Sequence, residues 1–186
     1  MRMIKVINAI AGCAMLAGCA GYQPGPVAQH MELVSPYRLG SGDSVRVIVF
    51  GQPDVSNTYA VDQAGNISMP LVGAIPVRDH TTTEVEGAIA TRLRAGYVRN
   101  PDVSVEVDRY RPFFAMGEVN QAGQYAYVAG MTVQSAIAIA GGFTPRADRT
   151  YATVTRSHDG ELESVRLNMT DPVVPGDVVY VRERLL

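Results

Sequence analysis

Beyond residue 36, hydrophobic spacing cuts the chain into short runs of two periods. Val45-Arg46-Val47-Ile48-Val49-Phe50 is apolar at every position but Arg46 and predicts a mostly buried strand. Thr58 to Val61 and Ile67 to Met69 predict two more. Between them lies Asp62-Gln63-Ala64-Gly65-Asn66, which has the chemistry of a tight hairpin turn. Thr81-Thr82-Thr83-Glu84 has capping-box spacing, in which a threonine hydroxyl and a glutamate three residues on satisfy each other's backbone amides. The helix it opens runs to about Ala95. Val85, Ala88, Ile89 and Leu93 share one of its faces, and Gly96 ends it. The period returns to two at Val103, Val105 and Val107, which alternate with Ser104, Glu106 and Asp108 as in a strand with one wet face.

The pattern then repeats its logic. After Arg111-Pro112, Phe114 to Val119 predicts a strand, and Ala122-Gly123-Gln124-Tyr125 turns into a short second one. Thr132 is an N-cap for a helix through Val133, Ala136, Ile137 and Ala140, stopped by Gly141-Gly142. Its small residues predict close packing against its backbone. Tyr151 to Arg156 and Leu162 to Leu167 flank His158-Asp159-Gly160, a strong hairpin signal, and Val178 to Val181 is the last strand. Each half is a set of strands around one helix, an α+β pattern. Ser41-Gly42-Asp43-Ser44-Val45-Arg46-Val47 is echoed by Pro175-Gly176-Asp177-Val178-Val179-Tyr180-Val181. In each, a turn glycine and an aspartate that can bond nearby amides precede a valine strand. Gly-Asp is common before strands, so the echo alone carries no claim of duplication.

The first 36 residues follow another rule. Arg2 and Lys5 make a positive start, and Val6 to Ala17 is mostly apolar. That is long enough for a signal peptide and short of the roughly 20 residues of a membrane span. Leu16-Ala17-Gly18-Cys19 stands at the expected cut. An ordinary cleaved signal with an incidental cysteine and a lipid-attachment signal both fit that placement. Residues 19–36 carry Gly21, Pro24, Gly25, Pro26 and Pro36 and read as a flexible tether.

Composition narrows the function. At 47% hydrophobic and 18% charged, the 186-residue chain is neither a disordered polymer nor a membrane bundle. Its net charge is -2; without residues 1–18, which hold Arg2 and Lys5, 14 basic stand against 18 acidic residues, giving -4. No basic run survives, which argues against nucleic acid as a partner. The two cysteines, Cys13 and Cys19, both precede the body, which therefore has no disulfide and no cysteine metal site.

Candidate chemistry is sparse. His30, His80 and His158 fall in tether and loop positions without a second histidine at ligand spacing. Glu84 and Glu86 lie two apart and read as first-turn acids complementing the helix dipole. Glu161 and Glu163 would share one wet strand face. Gly141-Gly142 follows a helix, whereas phosphate sites use a helix N-terminus. The apolar stretch from Ala126 to Phe143 is interrupted by Gly130, Gln134 and Ser135 and reads as a packed core helix. Nothing here nominates a catalytic, cofactor or metal residue, so no enzyme and no cofactor are expected. Arg109, Arg111 and Arg146 face either an acidic polymer or water.

Several motifs in order carry a resemblance. Leu16-Ala17-Gly18-Cys19 resembles the bacterial lipobox at all four positions. Tyr37-Arg38-Leu39-Gly40-Ser41-Gly42-Asp43, Val61-Asp62 with Gly65, Ile67, Met69-Pro70-Leu71 and Gly73, and Asn100-Pro101-Asp102-Val103-Ser104-Val105 resemble bacterial outer-membrane polysaccharide export proteins. Gly117-Glu118-Val119, Ala122-Gly123-Gln124-Tyr125, Ala140-Gly141-Gly142-Phe143 and Pro175-Gly176-Asp177 are similar to the soluble-ligand-binding β-grasp (SLBB) domain. The match spans about residues 37 to 182.

The resemblance implies a lipoprotein signal at 1–18, a lipidated tether at 19–36, a small polysaccharide-export domain at 37–110 and one SLBB-like β-grasp domain at 111–186. Cys19 would be diacylated on sulfur, palmitate-style, and acylated on its new amine. Ala20, in place of an aspartate, points to the outer membrane, facing the periplasm. The implied role is a homo-oligomeric component of capsule or exopolysaccharide export. Its implied partners are the polysaccharide, an inner-membrane polysaccharide co-polymerase joined to a tyrosine kinase, and a separate β-barrel. The best-known capsule translocon ends in a pore-lining amphipathic helix. Residues 182–186 are too short for one at 1.5 Å per residue against about 30 Å of hydrocarbon. A short-form periplasmic ring or adaptor is therefore the expectation. An envelope lipoprotein that binds a glycan through its β-grasp domain is the alternative.

Overall fold

A computed structural model of the chain describes residues 36–158 and 161–184. The expectations on Cys19, the signal, most of the tether and His30 lie outside the described residues, as do Asp159 and Gly160 of the hairpin turn.

The first unit is built on β1 (Ser44–Val49), flanked by antiparallel β2 (Asn57–Ala60) and β5 (Val103–Arg109). A single 3-10 turn, Pro53–Val55, links β1 to β2. Helix α1 (Thr82–Arg94) supplies Val85, Ile89 and Leu93, each fully buried, to a core with Val45, Val47, Val49 and Val105. At about 1.5–3 kcal/mol for each aliphatic side chain removed from water, these residues hold the layers together. The capping box forms as its spacing predicts: Thr81 Oγ1 accepts from the Glu84 amide, and the Glu84 carboxylate accepts from the Thr81 amide at 2.7 Å. A two-stranded hairpin, β3 (Asn66–Met69) with β4 (Gly73–Pro76), completes the unit and adds Ile67 and Ile75 to the core. Arg92 on α1 donates to the carbonyl of Ala74 and holds the hairpin against the helix.

The second unit is a five-stranded mixed sheet. Its strands are β6 (Phe113–Gly117), β7 (Gly123–Tyr125), β8 (Tyr151–His158), β9 (Glu161–Asn168) and β10 (Val178–Val181), in the order β7-β6-β10-β8-β9. The central pair, β6 and β10, is parallel, and the other neighbours are antiparallel. Helix α2 (Val133–Ile139) packs Val133, Ala136 and Ile137 against Phe113, Ala115, Val154 and Val179. Thr132 and Ser135 form its capping box. The fold is α+β, as the pattern predicts.

Three elements differ from the sequence reading. β1 is half exposed rather than mostly buried: Ile48 is exposed because a helix covers one face of its sheet and leaves the other bare. β4 has no visible period, since Ile75 is its one buried residue. Glu86 is not a dipole ornament; its carboxylate accepts the Val105 amide at 2.9 Å and ties α1 to β5. Among the described residues, no helix is long and apolar enough to cross a membrane.

Candidate functional site

The two Gly-Asp turns flagged by their echo have the same internal hydrogen bonds. In the first, the Asp43 amide donates to Gly40 O at 3.1 Å and the Asp43 carboxylate accepts the Gly40 amide at 2.7 Å. In the second, the Asp177 amide donates to Val174 O at 3.2 Å and the Asp177 carboxylate accepts the Val174 amide at 2.9 Å. Gly42 and Gly176 precede the aspartates at φ +93° and +90°, where a Cβ would be strained. Both aspartates are fully buried. A buried carboxylate needs a cation and hydrogen bonds to offset its lost hydration, and both have them. Arg156 on β8 grips Asp177 through Nε and Nη2, each at 2.9 Å. Arg111 takes that role for Asp43, with Nη1 to Oδ2 at 3.3 Å and its backbone amide to Oδ1 at 2.7 Å.

Arg111 stands in the three-residue link between β5 and β6 and touches both turns. Its Nε donates to the carbonyl of Pro175 at 3.0 Å, and the Gly176 amide returns a bond to Pro112 O at 3.2 Å. The guanidinium lies so close to Gly40 that an added Cβ there would sit 1.9 Å from Nη1; at Gly176 it would sit 2.8 Å from Nε. Tyrosines line the same junction. Tyr37 of the first unit meets Tyr110 of the link edge-on at 4.9 Å, and Tyr110 meets Tyr127 of the second unit edge-on at 5.4 Å. The Tyr37 hydroxyl donates to Asp43 at 2.7 Å. Burial first, and that bond second, push its pKa well above the ordinary tyrosine range. Burial likewise pushes Tyr127 up. A groove of about 620 Å³, lined by Gly40, Ser41, Arg78, Arg111, Ser157 and Gly176, opens beside the junction.

The other nominated side chains are scattered. Arg111 is tied to Asp43 and Pro175, with the rest of its side chain on the groove wall. Arg146 is ion-paired with Glu183, and Arg109 is exposed. His80 is exposed, with Nδ1 at 2.7 Å from Arg78 O, and Glu161 and Glu163 are exposed on β9. Among the described residues, no group of three His, Cys, Asp or Glu side chains could hold a metal ion.

One apolar patch and further exposed apolar side chains stand on the second unit. Phe114 and Met116 project from the sheet face away from α2, beside Tyr180, which pairs with Met116 across β6 and β10. Ile139, in the last turn of α2, is exposed on the helix side, and Val128 is exposed in the loop before α2. Sequence reasoning missed the sheet patch. Its only signal is that Phe114, Met116 and Tyr180 are out of phase with the buried Phe113, Ala115 and Val179.

Comparison with known proteins agrees with this architecture. The family model described as polysaccharide biosynthesis/export protein matches residues 32–108, and the SLBB domain model matches residues 116–166. The chain is similar to the exopolysaccharide production protein ExoF of Rhizobium meliloti (strain 1021), with 36% identity over 159 residues, covering 79% of this chain and 36% of that protein. It is 30% identical over 192 residues to the EPS I polysaccharide export outer membrane protein EpsA of Ralstonia solanacearum, covering 85% of this chain and 51% of that one. It is 26% identical over 142 residues to the polysialic acid transport protein KpsD of Escherichia coli, covering 75% and 25%. The chain thus spans between a quarter and about half the length of these relatives.

Proposed function

The chain belongs to the polysaccharide export protein family, with a polysaccharide biosynthesis/export domain followed by an SLBB domain of β-grasp fold; from that premise we propose that it is a non-catalytic, lipid-anchored component of exopolysaccharide or capsule export. It works as a periplasmic ring or adaptor at the outer membrane, and its client is the polysaccharide. Residues 1–18 are the lipoprotein signal, 19–36 the tether, 37–110 the export domain and 111–186 the β-grasp domain. Cys19 carries the lipid. One buried acyl chain holds a protein marginally, at about 0.8 kcal/mol per CH₂, whereas two or three on one residue hold it durably. An inner-membrane co-polymerase with its tyrosine kinase passes polymer to it, and a separate β-barrel completes the outward path.

The observation that supports a ring is that exposed apolar side chains stand on more than one surface of the second unit, the outer sheet face and the last turn of α2 among them. A patch that meets itself makes a two-fold dimer. Two different patches on opposite faces join head to tail, and head-to-tail contacts close into rings when the rotation allows. The proposed contact sets Phe114, Met116 and Tyr180 of one copy against Val128 and Ile139 of the next, side chains that are all exposed in the single chain.

The test is deletion of the gene with polymer measured inside and outside the cell, alongside the mass of the purified lipidated protein. Export predicts polymer made but retained, and a closed oligomer that Met116→Asp splits. Normal surface polymer in the deletion strain sinks the export reading. A stable monomer with measurable glycan affinity would favour a binding lipoprotein instead.

A further inference from the structure

We infer that Arg111 is the coupling residue of the molecule: as the shared partner of both Gly-Asp turns, it locks the two units into one cooperative body. Two small domains joined by a short link move independently by default unless their contact is extensive. Here the side-chain hydrogen bonds between the units converge on one residue. From the first unit, Asp43 takes the Arg111 amide and Nη1. From the second, Pro175 O takes Nε, and Gly176 lies against the guanidinium stem.

Each half of this arrangement needs the other. Asp43 is fully buried, and Arg111 is the cation beside it. Swinging the second unit away draws the guanidinium towards Pro175 and leaves a buried carboxylate with less compensation. Holding the guanidinium on Asp43 instead strips Pro175 of its donor. Glycine at 40 and 176 is what lets one guanidinium fit between the turns. Gly40 is informative because its φ is ordinary, so its lack of a side chain answers to the close approach of Arg111 and not to backbone strain. The tyrosine row follows the same line, with Tyr110 in the link between Tyr37 and Tyr127. Arg156 is the contrast: it serves Asp177 from the neighbouring strand of the same unit. The consequence is that a displacement of the first unit is passed to the second. This holds whether or not the protein exports polymer, so its test is separate from the export test.

The experiment is native-state hydrogen exchange on the full chain, comparing amides of β1 with amides of β10. In the wild type both sets open in the same global event and share one denaturant dependence. Gly40→Ala evicts the guanidinium without altering the turn. Arg111→Lys keeps the charge on Asp43 and loses the Nε bond to Pro175. In either variant the two sets separate by about ten-fold or more in exchange rate, as expected for one lost charged hydrogen bond. Arg156→Lys, the comparator, slackens β10 and β8 while β1 and β10 remain on one denaturant dependence. Independent exchange of the two sets in the wild type overturns the inference. So does a common exchange behaviour that persists in both Gly40→Ala and Arg111→Lys. If Arg111→Lys fails to fold, Gly40→Ala alone decides.

Discussion

The turns at Asp43 and Asp177 are alike in their internal hydrogen bonds and unlike in what reaches them. At Asp177 the cation comes from β8, 21 residues away and two-pronged, and the turn closes its own unit. At Asp43 it comes from the inter-unit link, 68 residues away, through one guanidinium nitrogen and one backbone amide. The second nitrogen of Arg111 reaches the other turn. Asp171 forms the same ring a third time, with its carboxylate on the Asn168 amide at 2.6 Å and its own amide on Asn168 O at 3.1 Å. A local motif therefore fixes the position of a carboxylate. Its use, as internal closure or as a tie between units, depends on the cation delivered to it.

The difference is broken most severely at the aspartates themselves. Asp43→Ala removes the acceptor of Tyr37, Gly40 and Arg111 together. It should cost about 3–5 kcal/mol, the usual loss when one member of a buried pair is deleted. Differential scanning calorimetry should show its unfolding split into two steps, whereas Asp177→Ala loses stability in a single step. The tyrosines sharpen the contrast more gently. Tyr37, Tyr59 and Tyr127 all have pKa values raised chiefly by burial, so their neutral forms are favoured in the folded state. That stability is present below about pH 10, the ordinary tyrosine value, and is lost as pH rises beyond it. Denaturant midpoints measured from pH 8 to 11 should stay level and then fall. Tyr37→Phe should flatten the fall and lower neutral-pH stability by about 1 kcal/mol, one net hydrogen bond. The smallest effect belongs to the caps. Thr81→Ala and Thr132→Ala should each cost about 1 kcal/mol by denaturant titration. Equal losses would mean that the two helices, 13 and 7 residues long, depend on their caps alike.

Much of the fold was legible because its signals are short-range. The apolar run at Val45, the alternation at Val103, both threonine caps and the glycine stops depend on residues within a turn or two of one another. β4 escaped because a four-residue strand with a glycine and a proline has no period; it forms because β3 offers it an edge. Ile48 looked buried because sequence cannot say whether a sheet is covered on one face or two. Phe114, Met116 and Tyr180 were hidden for the same reason. Glu86 looked like a helix-end charge because its partner, Val105, lies on another element.

The junction between the units divides along the same line. Chain order alone determined the two Gly-Asp rings, since an aspartate that bonds the amide three residues back needs nothing distant. It also determined the export-family motifs and the α+β plan. Tertiary structure decided that Arg111, read from sequence as facing polymer or water, is held between Asp43 and Pro175, 68 and 64 residues away. The physical reason is that a guanidinium's position follows from how two sheets and their link pack around it. No local spacing encodes that distance, and glycine at position 40 makes sense only once the arginine is seen lying across it.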